Sequence, residues 1–178
     1  GGNNSYAQIG VGGADSEGTK SGGATMLTNT GALSMTSGAG DDAYVQVGTG
    51  GHNADGNIDS DTIVTLGGDL TMNASAGTSD SYVQIGAGGT SINIDAASSG
   101  PAVLVGNTSV TGAGAITMTG GGGDSYAMIG LGGDETNGTK MGNTTVSGAS
   151  IMMTGGAGGD SFVQIGAGGN ESSGNITG

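Results

Sequence analysis

The 178-residue chain has no cysteine, no tryptophan and no arginine, and only one proline, one histidine, one phenylalanine and two lysines, Lys20 and Lys140. Each scarcity narrows what the protein does. Without cysteine there is no thiol nucleophile, a state compatible with bacterial secretion. With His52 as the single histidine and no arginine, neither a nucleophile with a partner base nor a cationic oxyanion clamp can be assembled, so the chain is not expected to be an enzyme. Adjacent acids such as Asp41 and Asp42 suit polysaccharide cleavage in principle, but acids here recur along the chain instead of marking one cleft. Fifteen acidic residues against two lysines give a net charge of −13. Nothing neutralises a run of phosphates, which excludes nucleic acid and disfavours an anionic membrane surface. No apolar run approaches the roughly 20 residues that span a bilayer, so no membrane insertion is expected.

What the chain has in abundance is glycine, 44 residues, and repetition. Ser5-Tyr6-Ala7-Gln8-Ile9-Gly10 recurs as Ala43 to Gly48, Ser81 to Gly86, Ser125 to Gly130 and Ser161 to Gly166. The aromatics fall at Tyr6, Tyr44, Tyr82, Tyr126 and Phe162, a period of about 38 residues with small insertions. With only 33% hydrophobic residues, such a composition ordinarily reads as disorder. Regular repetition reverses that reading, because stacked coils replace a large core by backbone ladders and a thin apolar strip.

Within the signature strand Val45 and Val47, Val83 and Ile85, and Val163 and Ile165 share one parity and are expected to face the core. That leaves Tyr6, Tyr44, Tyr82, Tyr126 and Phe162 in one outward column and Gln8, Gln46, Gln84, Met128 and Gln164 in another. A second strand precedes each copy, as in Leu33-Ser34-Met35-Thr36 and Ile116-Thr117-Met118-Thr119, with Leu, Ile and Met inward and Ser, Thr and Asn outward. Weaker strands are expected at Asn57–Asp59, Thr62–Thr65, Ser91–Ile94, Ala102–Val105 and Thr144–Val146, with Pro101 at a strand start. No amphipathic helix is present. Four short strands per repeat suit two coils of roughly 19 residues each, with one large coil as the alternative. The fold expected is an all-β parallel β-helix forming a single solenoid segment over residues 1–178. The chain opens and closes inside a repeat without a capping unit, which leads to the expectation of a longer chain or of subunits that stack end to end.

Gly68-Asp69-Leu70-Thr71-Met72, Gly114-Ala115-Ile116-Thr117-Met118 and Gly174-Asn175-Ile176-Thr177 resemble the repeats of filamentous haemagglutinin-type adhesins. Tyr-Ala-Gln-Ile-Gly followed by Gly-Gly is similar to signatures of very large bacterial surface proteins with β-strand repeats. The resemblance implies a right-handed parallel β-helix and export to the bacterial cell surface or an extracellular fibre, where the segment acts as an elongated rod.

Four groups of residues are candidate sites. Asn4, Asp42, Asp80, Asp124 and Asp160 precede the aromatics by two positions. Stacked carboxylates repel, and either turn capping by backbone amides or Ca²⁺ compensates. Gly155 to Val163 fits a calcium-binding nonapeptide, which makes Asp42, Asp80, Asp124 and Asp160 the candidate metal ligands of a calcium-stabilised stalk. The Tyr and Gln columns, with Phe162, are the candidate contact face, for a surface polysaccharide or a neighbouring fibre; the alternative has each ring packed flat over a turn of the adjoining coil. A second acidic set, Asp15, Glu17, Asp55, Asp134, Glu135 and Glu171, reads as a solvated face, with Lys20 and Lys140 forming salt bridges to it. Outward Ser34, Thr36, Thr71, Thr117 and Thr119 raise a different class, an ice-binding solenoid, although a row recurring once per two coils argues against it.

Overall fold

Tyr6 pairs with Tyr44, Tyr44 with Tyr82, and Tyr82 with Tyr126, each as parallel strand partners. In this computed structural model, which describes residues 3–76, 80–92 and 103–178, a full sequence repeat therefore makes one coil. The expectation of two coils per repeat is corrected. Four glycine-cornered strands close one large circuit, and about four turns stack with a spacing near 37 residues.

The signature strands β1 (Tyr6–Ile9), β5 (Tyr44–Val47), β9 (Tyr82–Ile85), β13 (Tyr126–Ile129) and β17 (Val163–Ile165) form one parallel sheet in that order. A second sheet stacks β2 (Lys20–Ser21), β6 (Ile58–Asp59), β10 (Val103–Val105), β14 (Thr139–Met141) and β18 (Ile176–Thr177). The third stacks β3 (Thr25–Asn29), β7 (Thr62–Leu66), β11 (Thr108–Gly112) and β15 (Thr144–Ser147). The fourth stacks β4 (Leu33–Thr36), β8 (Leu70–Asn73), β12 (Ala115–Thr119) and β16 (Ser150–Thr154). No helix occurs among the described residues. The expected strand at Ser91–Ile94 falls partly, and Pro101 wholly, outside them.

The signature sheet is buried on both faces. On one side Val47, Val83, Ile85, Ala127 and Ile129 pack against Val64, Leu66 and Val110 of the third sheet and Met35, Leu70, Met72, Ile116 and Met118 of the fourth. This aliphatic compartment is the one expected from the inward parity, and Ser34 and Thr36 point outward from it as expected. On the other side lies a second compartment that holds Tyr44, Tyr82, Tyr126 and Met128, and a separate cluster holds Ile58, Ile92, Leu104 and Leu131. The outward orientation assigned to the Tyr and Gln columns is thus overturned: Tyr82, Gln84 and Tyr126 are 0% exposed.

Glycine makes the second compartment possible. After each signature strand the chain runs through Gly-x-Gly-Gly, and Gly12, Gly50, Gly88, Gly132 and Gly168 bridge one another in a column. A Cβ on Gly88 would stand 2.1 Å from the carbonyl oxygen of Gly132 in the next coil, so only hydrogen fits there. The neighbouring column closes on the rings, since a Cβ on Gly51 would approach the Tyr44 hydroxyl to 2.8 Å. A wall without side chains lets backbone come within contact of a flat aromatic.

Candidate functional site

Inside the second compartment the aromatics form one uninterrupted stack. Tyr6–Tyr44, Tyr44–Tyr82, Tyr82–Tyr126 and Tyr126–Phe162 have ring centroids 4.9, 4.7, 5.0 and 4.6 Å apart and planes within 6°. The spacing is that of neighbouring strands, about 4.8 Å, so the strand ladder itself sets the ring contact. Burial raises the ionisation of the Tyr44, Tyr82 and Tyr126 hydroxyls well above the ordinary phenol range. Of the five rings only Tyr6, on the first coil, is largely exposed. Each ring lies flat against the adjoining coil, on its aromatic side chain and not over a turn.

The glutamines beside the rings tie coil to coil. Gln46 Nε2 donates to the carbonyls of Gly86 and Gly88, each at 3.1 Å, and Gln8 Nε2 and Gln84 Nε2 repeat the pattern with Gly48, Gly50, Gly130 and Gly132. Each side-chain amide thus satisfies carbonyls that the glycine wall leaves facing inward. Met128 interrupts the column and is fully buried without loss of the stack.

The lysines are also internal. Lys20 Nζ donates to the carbonyls of Ser16 (3.0 Å), Gly18 (3.0 Å) and Asp55 (2.6 Å). Lys140 Nζ does the same with Thr136 (2.8 Å), Gly138 (3.1 Å) and Ser173 (2.9 Å). In both sets the third carbonyl belongs to the next coil. The expected salt bridges to the acidic loops are corrected: the three ammonium protons are used by backbone oxygens, and the stem occupies the column of Ile58, Leu104 and Ile176. Burial lowers the pKa of both lysines, with the charge of Asp55 opposing the shift at Lys20.

Three members of the aspartate column share one backbone conformation. Asn4, Asp42 and Asp80 adopt φ of 57°, 57° and 53°, the left-handed region that Asn and Asp enter at least cost. Asp42 Oδ1 also lies 3.3 Å from His52 Nε2. Asp124 is half-buried and Asp160 exposed, and Gly123 supplies the left-handed residue beside Asp124. Among the described residues no three His, Cys, Asp or Glu side chains converge closely enough to hold a metal ion.

Three members of the second acidic set, Asp15, Glu135 and Glu171, share a column of left-handed residues with Asn53 and Ser91. Neutral donors separate several of the charges: Asn53 Nδ2 reaches Asp15 Oδ1 at 2.8 Å and Ser91 Oγ reaches Glu135 Oε2 at 2.7 Å. Ser91, Ile92, Glu135, Asn137 and Glu171 line a shallow hollow of about 450 Å³. Beside it Asp134 is buried, contrary to a solvated reading, and accepts from Asn170 Nδ2 at 3.0 Å. Burial pushes its carboxyl up to about 6, with the charges of Asp80, Glu135 and Asp124 adding and the Asn170 amide opposing. The folded pKa lies above the unfolded one, so the contribution of Asp134 to stability is complete near pH 4 and is lost as pH rises through about 6. Asp134→Asn keeps an acceptor for Asn170 and removes the charge. Its melting temperature is expected to exceed the parent's by a few degrees at pH 8, with the gap closing towards pH 4 in thermal melts by circular dichroism.

The exposed hydroxyls align better than the sequence suggests. Thr28, Thr65, Thr111 and Ser147 are register partners and exposed, and Ser34, Thr71 and Thr117 form a parallel column on the fourth sheet. Because repeat and coil coincide, each column recurs at every coil. No known protein family, curated protein or solved structure matches this chain.

Proposed function

We infer that the protein is a structural element of a bacterial surface adhesin or extracellular fibre, a stack of coils whose role is mechanical continuity along the solenoid axis. The observation that carries this reading is that every internal column runs from coil to coil: rings, glycines, amides and parallel ladders all bond along the axis. Among the described residues no column gathers unique side chains into one cleft.

Burial of both lysines supports service outside the cell. Trypsin has only Lys20 and Lys140 to cleave, and each is held in a strand with its ammonium in a carbonyl cage. The folded chain is expected to stay intact through hours of trypsin at 37 °C and to be cut promptly once heated above its melting point, as followed by mass spectrometry. Rapid cutting of the native protein would count against a role in an exposed fibre.

A second reading, ice binding, draws support from the coil-by-coil hydroxyl columns at Thr28–Thr65–Thr111–Ser147. Met26, Ile63 and Met152 interrupt the neighbouring columns, which places it behind the first. A thermal-hysteresis assay separates the two, since a fibre element leaves the freezing point unchanged.

A further inference from the structure

Glu17-Gly18, Asp55-Gly56, Asn137-Gly138 and Ser173-Gly174 occupy equivalent places, at the corner that leads into the second sheet. The four glycines have φ of 83°, 97°, 106° and 94°, and among the described residues no carbonyl accepts from any of their amides. Only at Asn137 does such a glycine follow a side-chain amide, and the chain contains no other Asn-Gly. A backbone nitrogen one residue on can close a small imide ring on a side-chain carbonyl, and a glycine there puts no Cβ in the way.

Two surroundings favour the closure. Ser173 Oγ of the next coil donates to Asn137 Oδ1 at 2.7 Å. That oxygen takes on negative charge as the nitrogen adds to Cγ, so the bond strengthens during the reaction. Asn137 is exposed and lines the hollow of about 450 Å³ with Ser91, Ile92, Glu135 and Glu171, open to water. We propose that Asn137 and Gly138 form a self-modifying site that releases Lys140 from its cage as the protein ages. The Gly138 nitrogen bonds to Asn137 Cγ and gives up its proton, the bond from Cγ to Nδ2 breaks, and ammonia leaves with that proton. Water then opens the ring at either carbonyl. One product is an ordinary carboxylate at position 137; the other is an isoaspartyl link with an extra carbon in the main chain.

The location gives the second product its consequence. Thr136 and Gly138, on either side of Asn137, supply two of the three carbonyls that hold Lys140 Nζ, and Ser173 supplies the third. An added main-chain carbon between Thr136 and Gly138 spreads that trio. The Lys20 cage uses Ser16 and Gly18 in the same way, but Glu17 lies between them and has no amide to lose. One lysine is therefore timed for exposure and the other is not.

The inference rests on the cage and not on the surface-fibre reading, which fresh protein tests; here the readout is the change with age. Folded protein and a guanidinium-unfolded sample are held at pH 8 and 37 °C and followed by mass spectrometry, with fragmentation that locates the acid and tells the two linkages apart. Asn137 is expected to convert at least as fast in the folded chain as in the unfolded one. Ser173→Ala is expected to slow the folded conversion about fivefold, the worth of one strengthened hydrogen bond. A folded chain that keeps its amide while the unfolded one loses it overturns the site. Trypsin reads the coupling: cleavage after Lys140 is expected to rise about tenfold or more in the isoaspartyl fraction, with the bond after Lys20 unchanged. Freshly prepared Asn137→Asp, which adds the charge without the extra carbon, is expected to resist as the parent does. Asn137→Gln, whose longer side chain disfavours the ring, is expected to stay resistant with age. Converted protein that resists trypsin at both lysines overturns the release of Lys140.

Discussion

Gly88→Ala is expected to destabilise the solenoid by roughly 3–5 kcal/mol, more than a methyl group costs at most surface positions. Two effects add. The φ of +125° lies where an L side chain is strained, and the new Cβ falls 2.1 Å from Gly132 O, a backbone atom that cannot rotate away. Relief requires the coils to separate locally, which breaks the bonds from Gly132 N to Ala87 O and from Gly89 N to Gly132 O. Each such bond is worth about 1 kcal/mol and leaves buried groups unpaired when lost. Gly155→Ala is the control: its φ is not positive and nothing lies within 4 Å, so its stability should stay within about 0.5 kcal/mol of the parent. Equal melts for the two variants in urea would show that the glycine wall does not hold the coils together.

Tyr82→Ala is the second large effect. The ring is fully buried and sandwiched between Tyr44 and Tyr126, with centroids at 4.7 and 5.0 Å, so truncation opens a cavity inside a closed compartment and removes two stacking contacts. Loss of a buried aromatic costs about 3–5 kcal/mol, and each stacked pair about 0.5–1.5 kcal/mol within that total. Tyr82→Phe should cost about 1 kcal/mol or less, since Phe162 fills the same column without a hydroxyl. Tyr6→Ala, on the open face of the first coil, should cost about 1 kcal/mol or less, a contrast that isolates burial from residue type. Chemical denaturation of the three variants measures the series. A Tyr82→Ala protein as stable as Tyr6→Ala would overturn the internal placement of the column.

Repetition, the all-β class and the aliphatic compartment were legible from residue order, because β-branched and aliphatic residues at period two report a buried face wherever the opposite face is polar. Tyr and Gln misled for the same reason: their polar tips read as solvent-facing. The signal that corrects them lies in the stretch that follows, Gly-x-Gly-Gly, which carries too little side chain to look like a wall and can therefore press against the rings. Lys20 and Lys140 misled similarly, since a charged tip says nothing about three carbonyls that a folded loop turns towards it.

Composition and period by themselves determined that this chain stacks parallel coils. Only the tertiary structure decided that one repeat is one coil, that the signature sheet separates two compartments, and that aromatics, amides and ammonium groups lie inside. The physical reason is that periodicity along a chain reports which residues alternate, whereas burial depends on what another segment places against them. Here that segment is backbone, and backbone has no sequence.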